Sequence, residues 1–175
     1  MRKVILYISM SLDGYIAKQE GDISFLSSME QKDQDYGYAD FNKTVDTVIV
    51  GRKSYDKVLS MGFKYPHTDK DVFIISRTHH TNFGSFKYYS GSLKTLISEL
   101  KSRPGKNIYC DGGSLIVNEL LKEDLIDEFI ISIIPIILGD GIELFTKGRS
   151  EVNLRLTDCK KFETGLIQIH YEKIN

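Results

Sequence analysis

Val50-Gly51-Arg52-Lys53-Ser54-Tyr55 is the stretch on which the fold turns. An apolar run over residues 47–50 ends at Gly51, and Tyr55, Val58 and Leu59 then begin a helical pattern. Strand end meets helix start. The same change recurs in Ile108-Tyr109-Cys110-Asp111-Gly112-Gly113-Ser114-Leu115-Ile116, where a strand passes through adjacent glycines into a helix that carries Ile116, Val117, Leu120 and Leu121 on one face. Residues 4–8 and 72–75 read as further buried strands. Between residues 75 and 107, Leu93, Leu96, Ile97 and Leu100 fall at helix spacing, with Ser92 as the N-cap and Pro104-Gly105 as the stop. Another strand follows around residues 127–133. Such alternation requires crossovers between parallel neighbours, so the chain is α/β, with a mostly parallel sheet and helices on both faces.

The last part of the chain changes period. Val152, Leu154 and Leu156 alternate with polar residues, as do Ile167, Ile169 and Tyr171, and Thr164-Gly165 supplies a turn between the two runs. An antiparallel hairpin at the edge of the parallel sheet accounts for both. No repeat or linker interrupts residues 1–175, and one domain is expected across them.

With 23 basic and 24 acidic residues, the formal charge of −1 is not gathered into any block that would indicate a nucleic-acid partner. The two cysteines, Cys110 and Cys159, lack the spacing of a zinc site, and no metal is expected. The apolar start over residues 4–8 meets Asp13-Gly14 without a cleavage pattern. The run over residues 129–138 is far short of the ~20 residues that span a bilayer. A cytoplasmic protein is expected.

Three junctions carry possible chemistry. At Gly51-Arg52-Lys53-Ser54 the helix amides, two cations and a hydroxyl suit a phosphate, although a solvated turn with two surface cations has the same composition. Ser76 and Arg77 leave the next strand on the same sheet edge, where arginine and serine donors fit a dinucleotide's extra 2'-phosphate. His79 and His80 read as a solvated loop. Gly112 and Gly113 remove side chains where a cofactor backbone could come close, or serve only a tight βα turn. Neither GxGxxG nor GxxxxGK[ST] is present. Asp13 stands in an Asp-Gly turn after the first strand, and residues 135–145 form a glycine-hinged loop bordering a substrate pocket.

Taken in order, Ser11-Leu12-Asp13-Gly14-Tyr15-Ile16-Ala17, residues 50–55, Ile75-Ser76-Arg77, Asp111-Gly112-Gly113-Ser114 and residues 135–145 resemble the dihydrofolate-reductase-like family, of the type found as the reductase domain of the riboflavin deaminase-reductase. The resemblance covers nearly the whole chain. It implies that fold, in three layers, and NADPH as cofactor. By the same resemblance Gly51, Arg52, Lys53, Ser54, Ser76 and Arg77 grip the adenosine end. Gly112 and Gly113 take the pyrophosphate, Asp111, Ser114, Leu115 and Ile116 around them also bind the cofactor, and Ile8 and Ala17 lie against the nicotinamide. Ser9, Asp13 and Gly139 face substrate, with Asp13 as the catalytic candidate that orients substrate or a proton-delivering water. The implied activity is hydride transfer to a pterin-like, pyrimidine-like or other carbonyl or imine substrate, by a homodimer to which the run over residues 129–138 could lend an interface. No His-x-Glu or Pro-Cys-x-x-Cys deaminase pattern is present, and Trp is absent, unlike true dihydrofolate reductases. Asp33, Asp35 and Asp40 are available near a substrate without a role assigned to any. A non-catalytic NADPH sensor, or a protein for an unrelated phosphate compound, uses the same cradle.

Overall fold

A computed structural model describes residues 1–78, 80–148 and 151–174. The chain runs β1 (Val4–Ser11), β2 (Tyr15–Ala17), α1 (Tyr38–Lys43), β3 (Val45–Gly51), α2 (Arg52–Ser60), β4 (Asp71–Ile75) and β5 (Phe86–Tyr89). It continues through α3 (Leu93–Ser102), β6 (Asn107–Gly112), α4 (Ser114–Lys122), β7 (Glu128–Ile134), β8 (Ile142–Glu143), β9 (Leu154–Lys161) and β10 (Ile167–Lys173). Two short 3-10 turns, Gln19–Gly21 and Ser24–Met29, lie between β2 and α1.

Eight strands form one sheet in the order β5-β4-β3-β6-β1-β7-β10-β9, and β2 pairs with β8 in a small ribbon of its own. The first six are mutually parallel, and the β9–β10 hairpin closes one side antiparallel to β7. Strand alternation sorts the apolar residues between two faces. Leu6, Ile49, Ile108 and Cys110 pack with Leu96, Ile97, Val117 and Leu120 of α3 and α4. Ile5, Val48, Val50, Ile74 and Tyr109 pack with Phe41 of α1 and Tyr55 of α2 on the other face. Each fully buried aliphatic chain contributes roughly 1.5–3 kcal/mol, so both helical layers are fixed by the alternation itself.

The expected helix over residues 93–102 forms, and its Ser92 cap accepts a hydrogen bond from the Thr95 N–H. Three elements were not expected, one of them the short strand β8 within the loop over residues 135–145. β5 reaches its place beside β4 through a loop over residues 76–85 instead of a helix, and α1 is only six residues long. The C-terminal hairpin also differs in detail. β9 begins at Leu154 and is exposed along its whole length, because as the outer strand it has nothing packed on either face. In the run over residues 129–138, Ile136 and Ile137 are exposed. Phe129, Ile131 and Ile134 lie inside, since β7 sits between β1 and β10.

Candidate active site

The order β4-β3-β6-β1 sets four strand ends in a row, and these carry Ser76, Arg52, Gly112-Gly113 and the Ser9-to-Asp13 exit. At ~4.8 Å between neighbours the row spans roughly 14 Å. In open parallel sheets this edge is where ligands settle, because helix N-termini and loops converge there.

The middle of the row is packed so closely that it requires glycine. A Cβ on Gly113 would lie 2.5 Å from Ser54 Oγ, and one on Gly51 would lie 3.0 Å from Ile116 Cγ1. Gly112 has φ +96°, a conformation that side chains resist, and Ile8 Cδ1 packs 3.3 Å from where its Cβ would stand. The Gly112–Gly113 peptide is cis. The Ser54 oxygen accepts the Gly113 N–H at 3.0 Å, which ties α2 to the β6–α4 turn. Ser114 likewise donates its hydroxyl to the Glu143 carbonyl at 2.5 Å, holding β8 against α4. Its backbone amide still opens the helix, where the first N–H groups have no carbonyl one turn back. Leu115 is 60% exposed over this opening, whereas Ile116 is buried behind Gly51.

At the β3–β4 end, Arg52 spreads its guanidinium among Asp56 (3.1 Å), Thr78 (3.3 Å) and His80. Ser76 and Thr78 share a hydroxyl contact at 3.2 Å. Ser76 is buried at the strand end, while Lys53 and Arg77 are exposed. His80 is exposed on the loop at this corner, its ring tilted 40° against Tyr88 with centroids 4.6 Å apart. His79 lies outside the described residues.

Asp13 is a clamp. Its carboxylate accepts the Ser11 hydroxyl at 2.6 Å, the Gly139 N–H at 2.7 Å and the Leu138 N–H at 3.1 Å. The Ser11 hydroxyl and these two amides pull its pKa down to about 2. The catalytic candidate thus joins the β1 exit to the loop over residues 135–145 through its carboxylate. With a folded pKa below the ordinary value, the clamp's contribution is present above the usual carboxylate range and lost as pH falls through about 2. Asp13→Asn replaces one accepting oxygen with an amide that must face the Gly139 or Leu138 N–H. A ~10- to 100-fold loss of turnover is expected from the displaced loop, with cofactor affinity nearly unchanged. A carboxyl NMR titration of the wild type, in which Asp13 titrates near an ordinary aspartate value, would refute the clamp.

The Asp111 carboxylate is turned to the Tyr65 hydroxyl and, at 2.6 Å, to the Tyr109 hydroxyl, among the aromatic rings on the α1/α2 face. Burial raises its pKa despite the two hydroxyl donors, and burial lowers that of His67, which meets Tyr38 Oη at 3.1 Å. On the same sheet face a cavity of about 360 Å³ opens beside β1, lined by Tyr7, Ser9, Met29, Tyr38, Ser132 and Ile134 among others. Asp35 also borders it, yet its carboxylate receives the Ala39 and Gly37 amides, which lower its pKa. Asp40 instead pairs with Lys43, and Asp33 is exposed. Gly139 is held by Asp13, and Ala17 is paired with Ile142 across the β2–β8 ribbon. Tyr7, Tyr38 and Ser132 were missed as site residues; the one sequence signal was Ser132, a lone hydroxyl within an otherwise apolar strand.

Among the described residues no helix is long and apolar enough to cross a membrane. The RibD C-terminal domain model matches residues 2–168. The uncharacterized protein YwjB of Bacillus subtilis (strain 168) is 42% identical over 97% of each chain. A solved protein of Shewanella sp. PV-4 named for riboflavin biosynthesis is 31% identical, with TM-score 0.90 over 99% of both chains. The deaminase/5-amino-6-(5-phosphoribosylamino)uracil reductase of Thermotoga maritima shares the fold, with TM-score 0.75 at 17% identity, and this chain covers 57% of it. A parallel sheet with a glycine edge, matched over almost every residue in sequence and in shape, makes this chain a member of the RibD C-terminal domain family.

Proposed function

We propose that this chain is an NADPH-dependent reductase of a small pyrimidine-like substrate. The observation that carries the reading is the adjacency, along one sheet edge, of a cationic corner, a side-chain-free glycine step and a cavity beside β1. The cradle fits the cofactor in its donors: the opening amides of α4 have no carbonyl one turn back, and Arg52 and Arg77 stand at the same sheet edge. Arg52, Ser76 and Arg77 would hold the phosphorylated adenosine end. Gly112, Gly113 and the opening amides of α4 would receive the pyrophosphate, and Ile8 and Ala17 would flank the nicotinamide.

NADPH supplies a hydride from C4 of its nicotinamide when bound. The protein's own work is orientation and exclusion of water. Asp13 fixes the loop over residues 135–145 against the β1 exit, Ser114 and Asn118 anchor its far end at Glu143 and Leu144, and Tyr7 and Tyr38 wall the substrate cavity. Titration of intrinsic or cofactor fluorescence with NADPH, followed by NADPH oxidation against dihydrofolate, aminouracil and carbonyl substrates, tests the reading. Saturable binding with oxidation by an aminouracil is expected. Binding without oxidation by any of the three classes would replace the reductase with a cofactor sensor, and no binding would remove the cofactor assignment.

The assembly proposed with it is a homodimer. β9 offers eight exposed residues along an open edge, which natural sheets seldom leave uncovered. Light scattering at twice the chain mass of 20.0 kDa is the expected result.

A further inference from the structure

Ser132 and Gln168 are each only 2% exposed, yet Ser132 borders the cavity beside β1. Both are polar residues held out of water, and such groups persist in a core only when their bonds are arranged. The arrangement is determined by elimination. Gln168 Oε1 meets His170 Nε2 at 2.9 Å, and because a carbonyl oxygen only accepts, that imidazole nitrogen carries the proton. The amide nitrogen of Gln168 then faces three oxygens: Tyr7 Oη at 3.1 Å, Ser132 Oγ at 3.1 Å and the Tyr36 carbonyl at 3.2 Å. Tyr7 gives its own proton to that Tyr36 carbonyl, also at 3.2 Å. The two amide hydrogens are shared among these three oxygens, and because the nitrogen has no lone pair, Ser132 Oγ can only accept from it.

This fixes the role of the serine. Its oxygen accepts from Gln168, the amide nitrogen offers no lone pair in return, and the serine proton finds no acceptor among the described residues. The cavity is the side left for it. Ser9 stands beside Ser132 as its register partner on β1 and faces the same cavity, so two hydroxyls lie roughly 5 Å apart on the floor.

We infer that Ser132, oriented by Gln168, is a specificity-determining donor that reads a ring carbonyl of the substrate, with Ser9 as its neighbour. The inference rests on the pyrimidine reading of this cavity and deepens it. It selects heterocycles that present a carbonyl to the floor, such as an aminouracil, over diaminopyrimidines of similar size that lack one. Tyr7, already donating to Tyr36, forms the wall and does not compete for that carbonyl.

The test is calorimetric titration of the full chain with two probes, 5,6-diaminouracil and 4,5-diaminopyrimidine. The wild type is expected to prefer the uracil. Ser132→Ala should weaken the uracil about 10-fold, the effect of one buried bond left unmade, and leave the diaminopyrimidine within about twofold. Ser132→Thr should retain the preference. Gln168→Glu keeps the volume but turns a donor into an acceptor, which draws in the Ser132 proton, so it should lose the preference with Ser132 still present. Equal weakening of both probes by Ser132→Ala, a preference surviving Gln168→Glu, or no preference in the wild type would each overturn the inference. NADPH titration of the same samples separates the two ideas. A wild type that binds NADPH and shows no uracil preference refutes only the floor donor, whereas uracil preference without NADPH binding refutes only the reductase.

Discussion

Gly141→Ala is expected to lower the stability of the protein by about 2–3 kcal/mol and to remove most of its turnover. Gly141 has φ +150°, and a Cβ there would fall on the Ala17 carbonyl oxygen and lie 3.2 Å from Lys18 Cα. These neighbours are backbone, so no rotamer relieves the contact. The strand that must give way is β2, whose pairing to β8 sets Tyr15 against Glu143 and Ala17 against Ile142. From there the disturbance reaches the site. The Leu144 N–H donates to the Gly14 carbonyl at 2.9 Å, and Asp13 holds the Gly139 amide, so the ribbon and the clamp share one short piece of chain. A shift of about 1 Å in that piece would cost on the order of 100-fold in turnover if the loop orients substrate. In thermal melts the loss should appear as a fall of roughly 5–10 °C. Gly62→Ala supplies the comparison, since Gly62 has φ +82° but nothing near the added Cβ, and it should cost only about 1 kcal/mol. Equal destabilisation by the two substitutions would mean that backbone conformation alone, and not the ribbon contact, sets the effect.

The main strands and the helices α2, α3 and α4 could be read from the chain because local and global preferences agree there. The apolar run ending at Val50, the cap at Ser92 and the glycines before Ser114 each mark a boundary that the fold uses. β5 and α1 were hidden for a physical reason: four and six residues are too short for a period to stand out, and the fold holds them by packing Phe86 and Phe41 into the core. The site divides in the same way. Glycines and cations at strand ends are visible because they break apolar runs, and the sheet order sets Arg52, Ser76 and Gly112 side by side. What each side chain touches was not visible. Ser54 turning to Gly113, Asp111 turning to two tyrosines and Asp13 turning to Leu138 and Gly139 all depend on residues far away in the chain. The cavity floor was hidden for the same reason, since Gln168 meets Tyr7 only once β10 has paired with β7, which lies beside β1.

Arg52→Ala is expected to raise the Kd for NADPH by about 10- to 100-fold and to leave that for NADH within about twofold. A charge-assisted bond from a guanidinium to a phosphate contributes roughly 1.5–3 kcal/mol, and each 1.4 kcal/mol is about tenfold in affinity. Only the cofactor with the 2'-phosphate has that group to lose. The side chain is well placed to discriminate, because it is 38% exposed and already steered by Asp56, Thr78 and His80 at the corner where Ser76 ends β4. Its structural role is slight: the pair with Asp56 is a partly exposed i,i+4 contact worth about 0.3–0.5 kcal/mol, so the folded state should survive the change. Arg52→Lys keeps the charge but loses the planar fork, and an intermediate loss is expected. Rising salt should shrink the difference between wild type and variant, since the contact is near the surface. Parallel titrations with the two cofactors decide the matter. If the alanine variant weakens NADPH and NADH alike, Arg52 serves the shape of the corner and not the phosphate, and the adenosine end of the cofactor has to be sought elsewhere on the edge.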